Sequence, residues 1–121
     1  MGKIEEFTDL VAWQEAHKLV LDIYRITQRF PNEERYGLAS QMRRAAVSIS
    51  SNIAEGFSWH SATEKDRFYC MSRGSLLELH NQLLISRDVG FLNPNEFPNI
   101  ITLISRVRRL NSGLTKSASD R

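Results

Sequence analysis

Two groups of polar side chains have types and spacings that could do chemistry. The first, the polar cluster, comes from two neighbouring segments: Asn52, Glu55, Arg73, Gly74 and Glu78. Two facing carboxylates are the minimum for general acid and base catalysis, but local spacing places no histidine or nucleophile beside them. The preferred interpretation is a structural network inside the molecule or between subunits. A hydrolytic site built on Glu55 and Glu78 is the alternative.

The second group is basic: Arg43, Arg44, Arg106, Arg108, Arg109 and Lys116. Residues 105 to 121 contain five basic side chains and one acidic side chain, and arginine outnumbers lysine twelve to four in the whole chain. Guanidinium groups bind phosphate through paired hydrogen bonds. We therefore predict that this group contacts nucleic acid, with Arg43 and Arg44 extending the patch formed by the last helix. A solvated helix end that complements the helix dipole is the alternative.

Neither a metal site nor a cofactor site is predicted. Bundles that hold two iron ions use a Glu-x-x-His spacing, whereas the Glu/His pairs of this chain are two residues apart and diverge by about 200° on a helix. These pairs are Glu15/His17 and Glu78/His80. His60 and Glu64 are four residues apart, but they lie on either side of a predicted helix start, which favours capping or solvent exposure over metal binding. Glycine-rich phosphate loops and serine-centred nucleophile motifs are absent from the sequence. We expect a protein that is not an enzyme.

Four segments with a helical period must position these groups. They predict helices over about residues 9–30, 33–56, 62–89 and 96–115. Gly56 is a predicted helix stop, and the serine-rich run at 48–52 predicts a kink in the second helix. Short loops between four helices predict one all-α domain over residues 1–121, an antiparallel up-down-up-down four-helix bundle.

Gly74 falls inside the third predicted helix, where glycine costs about 1 kcal/mol relative to alanine. Close packing of the third helix at Gly74 against Ala45 and Ala46 of the second helix would offset that cost. The alternative is that Gly74 faces solvent. The first helix carries nearly two apolar stripes, which predicts a surface for a neighbouring subunit. We expect Gly74→Leu to disrupt packing or assembly.

Composition bounds the class of protein. The 121 residues are 41% hydrophobic and 25% charged, with a net charge of +2, as is typical of a single soluble domain. The lone cysteine, Cys70, excludes an internal disulfide and favours a reducing compartment. No apolar run reaches the length of a membrane span, and no signal peptide is visible. We expect a cytoplasmic protein with no membrane partner.

Several motifs together resemble those of a known family. They are Phe7-x-Asp9-Leu10-x-x-Trp13-Gln14, Phe30-Pro31-x-x-Glu34-x-Tyr36-Gly37-Leu38, Gln41-x-Arg43-Arg44-Ala45-Ala46-Val47-Ser48-Ile49, Ser51-Asn52-Ile53-Ala54-Glu55-Gly56 and Gly74-Ser75-x-x-Glu78-Leu79. With these motifs the chain resembles, over nearly its whole length, the four-helix-bundle proteins encoded in intervening sequences of bacterial 23S ribosomal RNA genes. Ser50 stands where that family commonly has proline.

The resemblance implies a bacterial cytoplasmic homopentamer. It also implies a distant relationship to the accessory variability determinant of diversity-generating retroelements, a protein that binds nucleic acid and a reverse transcriptase. Our leading prediction is therefore a non-enzymatic homo-oligomer that binds nucleic acid through basic surfaces near the fourth helix. Structured RNA is the expected ligand, and DNA is a possible partner. The alternative is a protein-interaction scaffold or an accessory subunit of a reverse transcriptase or polymerase.

Overall fold

A computed structural model describes residues 2–119, and within that range it contains helices and no strand. The four α-helices are α1 (Val11–Thr27), α2 (Leu38–Ser58), α3 (Ala62–Asp88) and α4 (Phe97–Ser119). Short 3₁₀ turns precede α1 (Phe7–Asp9) and α2 (Asn32–Glu34). The all-α fold is thereby confirmed. Met1, Asp120 and Arg121 lie outside the described residues.

Helix packing follows the apolar stripes. α1 and α3 each pack against both α2 and α4. The fully buried side chains between them are mainly aliphatic: Leu19, Ile23, Ile26, Met42, Ile49, Ile53, Leu76, Leu79, Leu83 and Val107. Contacts between α2 and α3 pair rising residue numbers with falling ones, as expected for antiparallel neighbours: Met42 meets Ser86, and Ser48 meets Ser75.

The second helix begins at Leu38 instead of near residue 33. Glu33 and Glu34 belong to a 3₁₀ turn, and Gly37 then leaves the helical region with φ −108° and ψ −114°. An acidic pair suits the start of either kind of helix, because both leave backbone N–H groups free. The geometry at Gly37 is what delays α2.

α2 runs as an unbroken helix through its serine-rich segment, where the sequence predicts a kink or a local irregularity. The short polar side chains there find partners without opening the helix. Asn52 Nδ2 donates to the Ser48 carbonyl oxygen at 2.8 Å, and Ser72 Oγ of α3 donates to the Ile49 carbonyl oxygen at 3.2 Å. α2 therefore accommodates these side-chain hydrogen bonds without a break in the helix.

Gly56 is not a helix stop, since α2 continues to Ser58. Instead it lies buried against the ring of Tyr69, where a Cβ atom would stand 2.5 Å from Cε1. At the other end of the chain, α4 extends to Ser119, beyond the predicted residue 115. Ala118 is 2% exposed, so this last turn packs on the bundle.

Candidate nucleic-acid interface

The basic side chains of α4 are distributed around its outer half. Val107 is fully buried and marks the core side of the helix. Arg106 and Arg108 therefore flank it at about 100° on either side, and Arg109 points away from the core. Lys116 lies seven residues after Arg109 and so shares its face, about 10 Å further along the axis. All four side chains are exposed, and we call them the α4 surface.

Arg106 differs from the other members of the α4 surface because it is paired. Its Nε donates to Glu15 Oε1 of α1, and Glu15 Oε2 lies 2.8 Å from Lys18 Nζ. Glu15 is only 7% exposed. The hydrogen bonds from Lys18 and Arg106 lower the pKa of the Glu15 carboxyl group below its usual value. Arg106 thus joins α4 to α1, and Glu15 partly neutralises its charge.

A second shared carboxylate lies at the opposite end of the α1–α4 contact. Glu96 Oε1 accepts hydrogen bonds from Arg29 at 2.6 Å and from Arg25 at 2.8 Å. Both lower its pKa, Arg29 more strongly. Arg25 also pairs with Asp22 of α1 at 3.5 Å, so two carboxylates balance the two cations at this end, whereas Lys18 and Arg106 share Glu15 alone. Lys18, Arg25 and Arg29 are not part of the basic group predicted from the sequence. Their spacing by seven and four residues nevertheless places them on one side of a predicted helix.

Arg43 and Arg44 lie on a different side of the molecule from α4, so they do not extend its patch. The Arg43 guanidinium stacks 4.5 Å from the centroid of the Tyr24 ring, and its Nε donates to Thr27 Oγ1 at 2.8 Å. These partners lie where α1 meets α2, whereas Arg106 binds α1 on the α4 side at Glu15. Residues 15 and 24 are about 14 Å apart along the helix axis. Arg44 is exposed.

Within one chain, the five members of the polar cluster do not form a single network. Asn52 is buried, and its Nδ2 donates to Ser48 Oγ at 3.1 Å. Ser48 Oγ in turn lies 2.8 Å from Ser75 Oγ of α3. The network therefore runs through two serines that the sequence analysis did not include. The sequence does contain a signal for this contact, because Ser48 and Asn52 are four residues apart and therefore neighbours on a helix surface.

The remaining members of the cluster are exposed. Glu78 accepts a hydrogen bond from Gln82 Nε2 of its own helix at 3.2 Å. Within residues 2–118, the side chains of Glu55 and Arg73 form no hydrogen bond or ion pair with the buried network. The arrangement therefore provides no paired carboxylates.

Gly74 makes no close approach to another helix. It is exposed, and a Cβ atom added there would meet nothing within 4 Å. The predicted packing against Ala45 and Ala46 is wrong within one chain, since both alanines are buried elsewhere in the core. The close approach of α2 and α3 is made at Gly56. Gly74 instead lies on an outer face of α3 that includes exposed apolar side chains: Met71, Leu77 and Ile85.

Residues 2–119 contain no group of three or more potential ligands placed to hold a metal ion. None of the helices described combines the length and apolar character needed to cross a membrane.

One comparison with known proteins shows the family of this chain, and another shows its fold. A family model described as "23S rRNA-intervening sequence protein" matches residues 8–113. A crystal structure of a protein with unknown function from the S23 ribosomal protein family of Bacteroides thetaiotaomicron VPI-5482 has a TM-score of 0.80 and 16% sequence identity. The match covers 88% of this chain and 96% of that one. No curated protein sequence matches this chain.

Proposed function

This chain belongs to the 23S rRNA-intervening sequence protein family, and on that premise we propose that it is a non-enzymatic protein that binds RNA through the α4 surface. One observation carries the proposal. Arg108, Arg109 and Lys116 are exposed and have no ion-pair partner within the described residues. Cations that the protein itself does not neutralise are available to phosphates.

The α4 surface carries only positive charges, because α4 contains basic residues and no acidic ones. Between Phe97 and Ala118 the helix carries four basic side chains and no acidic one. Its aromatic residue, Phe97, lies in the first turn, where the Arg87 guanidinium stands 4.6 Å from its ring centroid. A helix face with cations and no free ring binds RNA by its phosphates and shape instead of reading its bases.

The non-enzymatic character rests on the polar cluster. A pair of carboxylates that shares one substrate needs a common cleft and mutual proximity. Glu55 and Glu78 are both exposed, and Glu78 is hydrogen-bonded to Gln82 of its own helix. These groups are better explained as solvated surface side chains.

We further propose that the protein is a homo-oligomer whose copies meet along the outer face of α3. Met71 and Leu77 are 50% and 54% exposed there, on either side of the open space above Gly74. A ring of copies would repeat the α4 surface and raise the avidity for a polyanion. Size-exclusion chromatography with light scattering tests this, because Gly74→Leu should lower the oligomeric mass of the assembly. An unchanged mass would contradict it.

A titration tests the RNA proposal. The purified protein is added to fluorescently labelled structured RNA and to duplex DNA, and anisotropy is followed as the salt rises from about 50 to 200 mM. We expect saturable RNA binding that weakens steeply with salt. No binding at the lowest salt would overturn the proposal and favour the scaffold or accessory-subunit alternative.

A further inference from the structure

A second basic surface lies where α1 turns into α2. Two aromatic and three basic side chains form it, and we call them the tyrosine–arginine groove: Tyr24, Arg35, Tyr36, Arg43 and Arg44. Together with Ser40, Val47 and Ser48 they line a cavity of about 660 Å³. None of these lining residues is acidic, so the cavity carries three positive charges that attract an anion.

We propose that this groove binds a short single-stranded segment of RNA, with one base stacked on Tyr36 and the adjoining phosphates on Arg35 and Arg44. The inference rests on the RNA binding proposed above. It adds a site that binds single-stranded RNA in preference to duplex RNA. The α4 surface would hold phosphates of any RNA, whereas this groove would require an unpaired base.

Tyr36 supplies the stacking surface. It lies in the turn before α2 and is 89% exposed, the most exposed large apolar or aromatic side chain described. Among the described residues, no other ring and no cation covers either face of it. A ring this exposed contributes little to the core, and it is free to stack on a base.

Three contacts hold the Arg43 side chain in the groove. Its guanidinium lies over the Tyr24 ring, Nε donates to Thr27 Oγ1, and Nη2 donates to the Tyr24 carbonyl oxygen at 3.3 Å. The Arg43 guanidinium therefore contributes a positive charge at a fixed position in the lining of the cavity. Arg35 and Arg44 have no ion-pair partner within residues 2–118 and can turn toward a phosphate.

The groove is longer than one cavity, which favours a chain over a single nucleotide. A neighbouring cavity of about 360 Å³ shares Arg35 and Arg43 with it, on the side of the α1–α2 turn. Another of about 310 Å³ shares Arg44 and reaches Ser75 and Glu78 of α3. Arginines thus stand at both boundaries between cavities, where the phosphates that join three successive nucleotides would lie. The end cavity that Arg44 lines also contains Glu78, whose carboxylate accepts a hydrogen bond from Gln82.

A duplex does not fit this arrangement. Bases inside a duplex are stacked on one another and offer no free face to Tyr36, whereas single-stranded loops and ends do. Stacking on an aromatic side chain is tolerant of base identity, so we expect selectivity for strandedness with little selectivity for sequence.

Fluorescence anisotropy with two labelled RNAs tests the inference: a 12-nucleotide single strand and a blunt duplex of the same length. We expect Tyr36→Leu to weaken binding of the single strand about tenfold and to leave duplex binding unchanged, because it removes one stacked base. Tyr36→Phe keeps the ring and should bind within about twofold of the wild type. Arg44→Gln should reduce the slope of log K against log salt by about 0.7 for the single strand.

Arg73→Gln is the matched control for charge, because Arg73 is an exposed arginine that does not line the groove. It should keep both affinities. If the wild type binds the single strand and Tyr36→Leu does not weaken it, the groove inference is overturned and the α4 proposal survives. A Tyr36→Leu loss that is equal on single strand and duplex also overturns the inference. If the wild type binds neither RNA, the proposed function itself fails.

Discussion

The contact between Gly56 of α2 and Tyr69 of α3 gives a sharp stability prediction. Gly56 lies against the buried ring of Tyr69, and a Cβ atom there would stand 2.5, 2.9 and 3.0 Å from three of its carbon atoms. Ordinary van der Waals contact begins near 3.4 Å, so Gly56→Ala requires the ring to move by roughly 1 Å. The ring has little room to do so, because Tyr69 is 3% exposed.

The magnitude follows from two opposing effects. Overpacking of this kind costs about 1–3 kcal/mol, and replacing a helical glycine with alanine returns about 0.5–1 kcal/mol. Gly113→Ala is the matched control, since Gly113 also lies within a helix but a Cβ atom there meets nothing within 4 Å. The helix-propensity gain cancels between the two variants, so Gly56→Ala should be less stable than Gly113→Ala by about 1–3 kcal/mol.

Urea denaturation followed by circular dichroism measures this difference. Gly113→Ala should be slightly more stable than the wild type, and Gly56→Ala should unfold at lower urea than both. The double variant with Tyr69→Ala provides a second check, because removing the ring removes the clash. Equal free energies of unfolding for Gly56→Ala and Gly113→Ala would refute the packing assigned to Gly56.

Two further predictions concern the polar side chains. Because the folded state lowers the pKa of Glu15, its contribution to stability is present above the unfolded carboxyl pKa and is lost as the pH falls through the lowered folded pKa. Glu15→Gln should therefore show a smaller drop in urea midpoint between neutral and acidic pH than the wild type; an equal drop would contradict this. Asn52→Ala should destabilise the protein by about 1–2 kcal/mol, because it removes a buried hydrogen-bonded group. The exposed Glu55→Ala should stay within about 0.5 kcal/mol of the wild type, and equal losses in the two variants would count against the Asn52–Ser48–Ser75 network.

The sequence is sufficient to predict four helices because their apolar spacing is a local property. It also shows which way the α4 arginines point, since Val107 lies between Arg106 and Arg108 in the apolar stripe. It does not show that Arg106 is neutralised by Glu15, because these residues are 91 positions apart and meet only when α1 packs on α4. The free and the paired members of the α4 surface are therefore distinguished only by tertiary structure.

Gly56 and Gly74 also show that contacts between distant parts of the chain are not evident from the sequence. Gly56 and Gly74 are both unfavourable in a helix, and sequence reasoning assigned the close approach to Gly74. Which of them meets a neighbour depends on the register between α2 and α3, and that register brings Tyr69 onto Gly56. Tyr36 is a further case, because an aromatic residue near apolar segments is usually expected to be buried, yet it is 89% exposed.

The salt dependence of RNA binding tests the central claim most directly, because it counts the phosphates that the protein neutralises. The double variant Arg108→Gln/Arg109→Gln should bind structured RNA more weakly than the wild type. Its slope of log K against log salt should be shallower by about 1.4–1.8, the value for two lost phosphate contacts. Arg73→Gln serves as the control and should keep the wild-type slope. Unchanged affinity and slope in the double variant would contradict the assignment of RNA binding to α4.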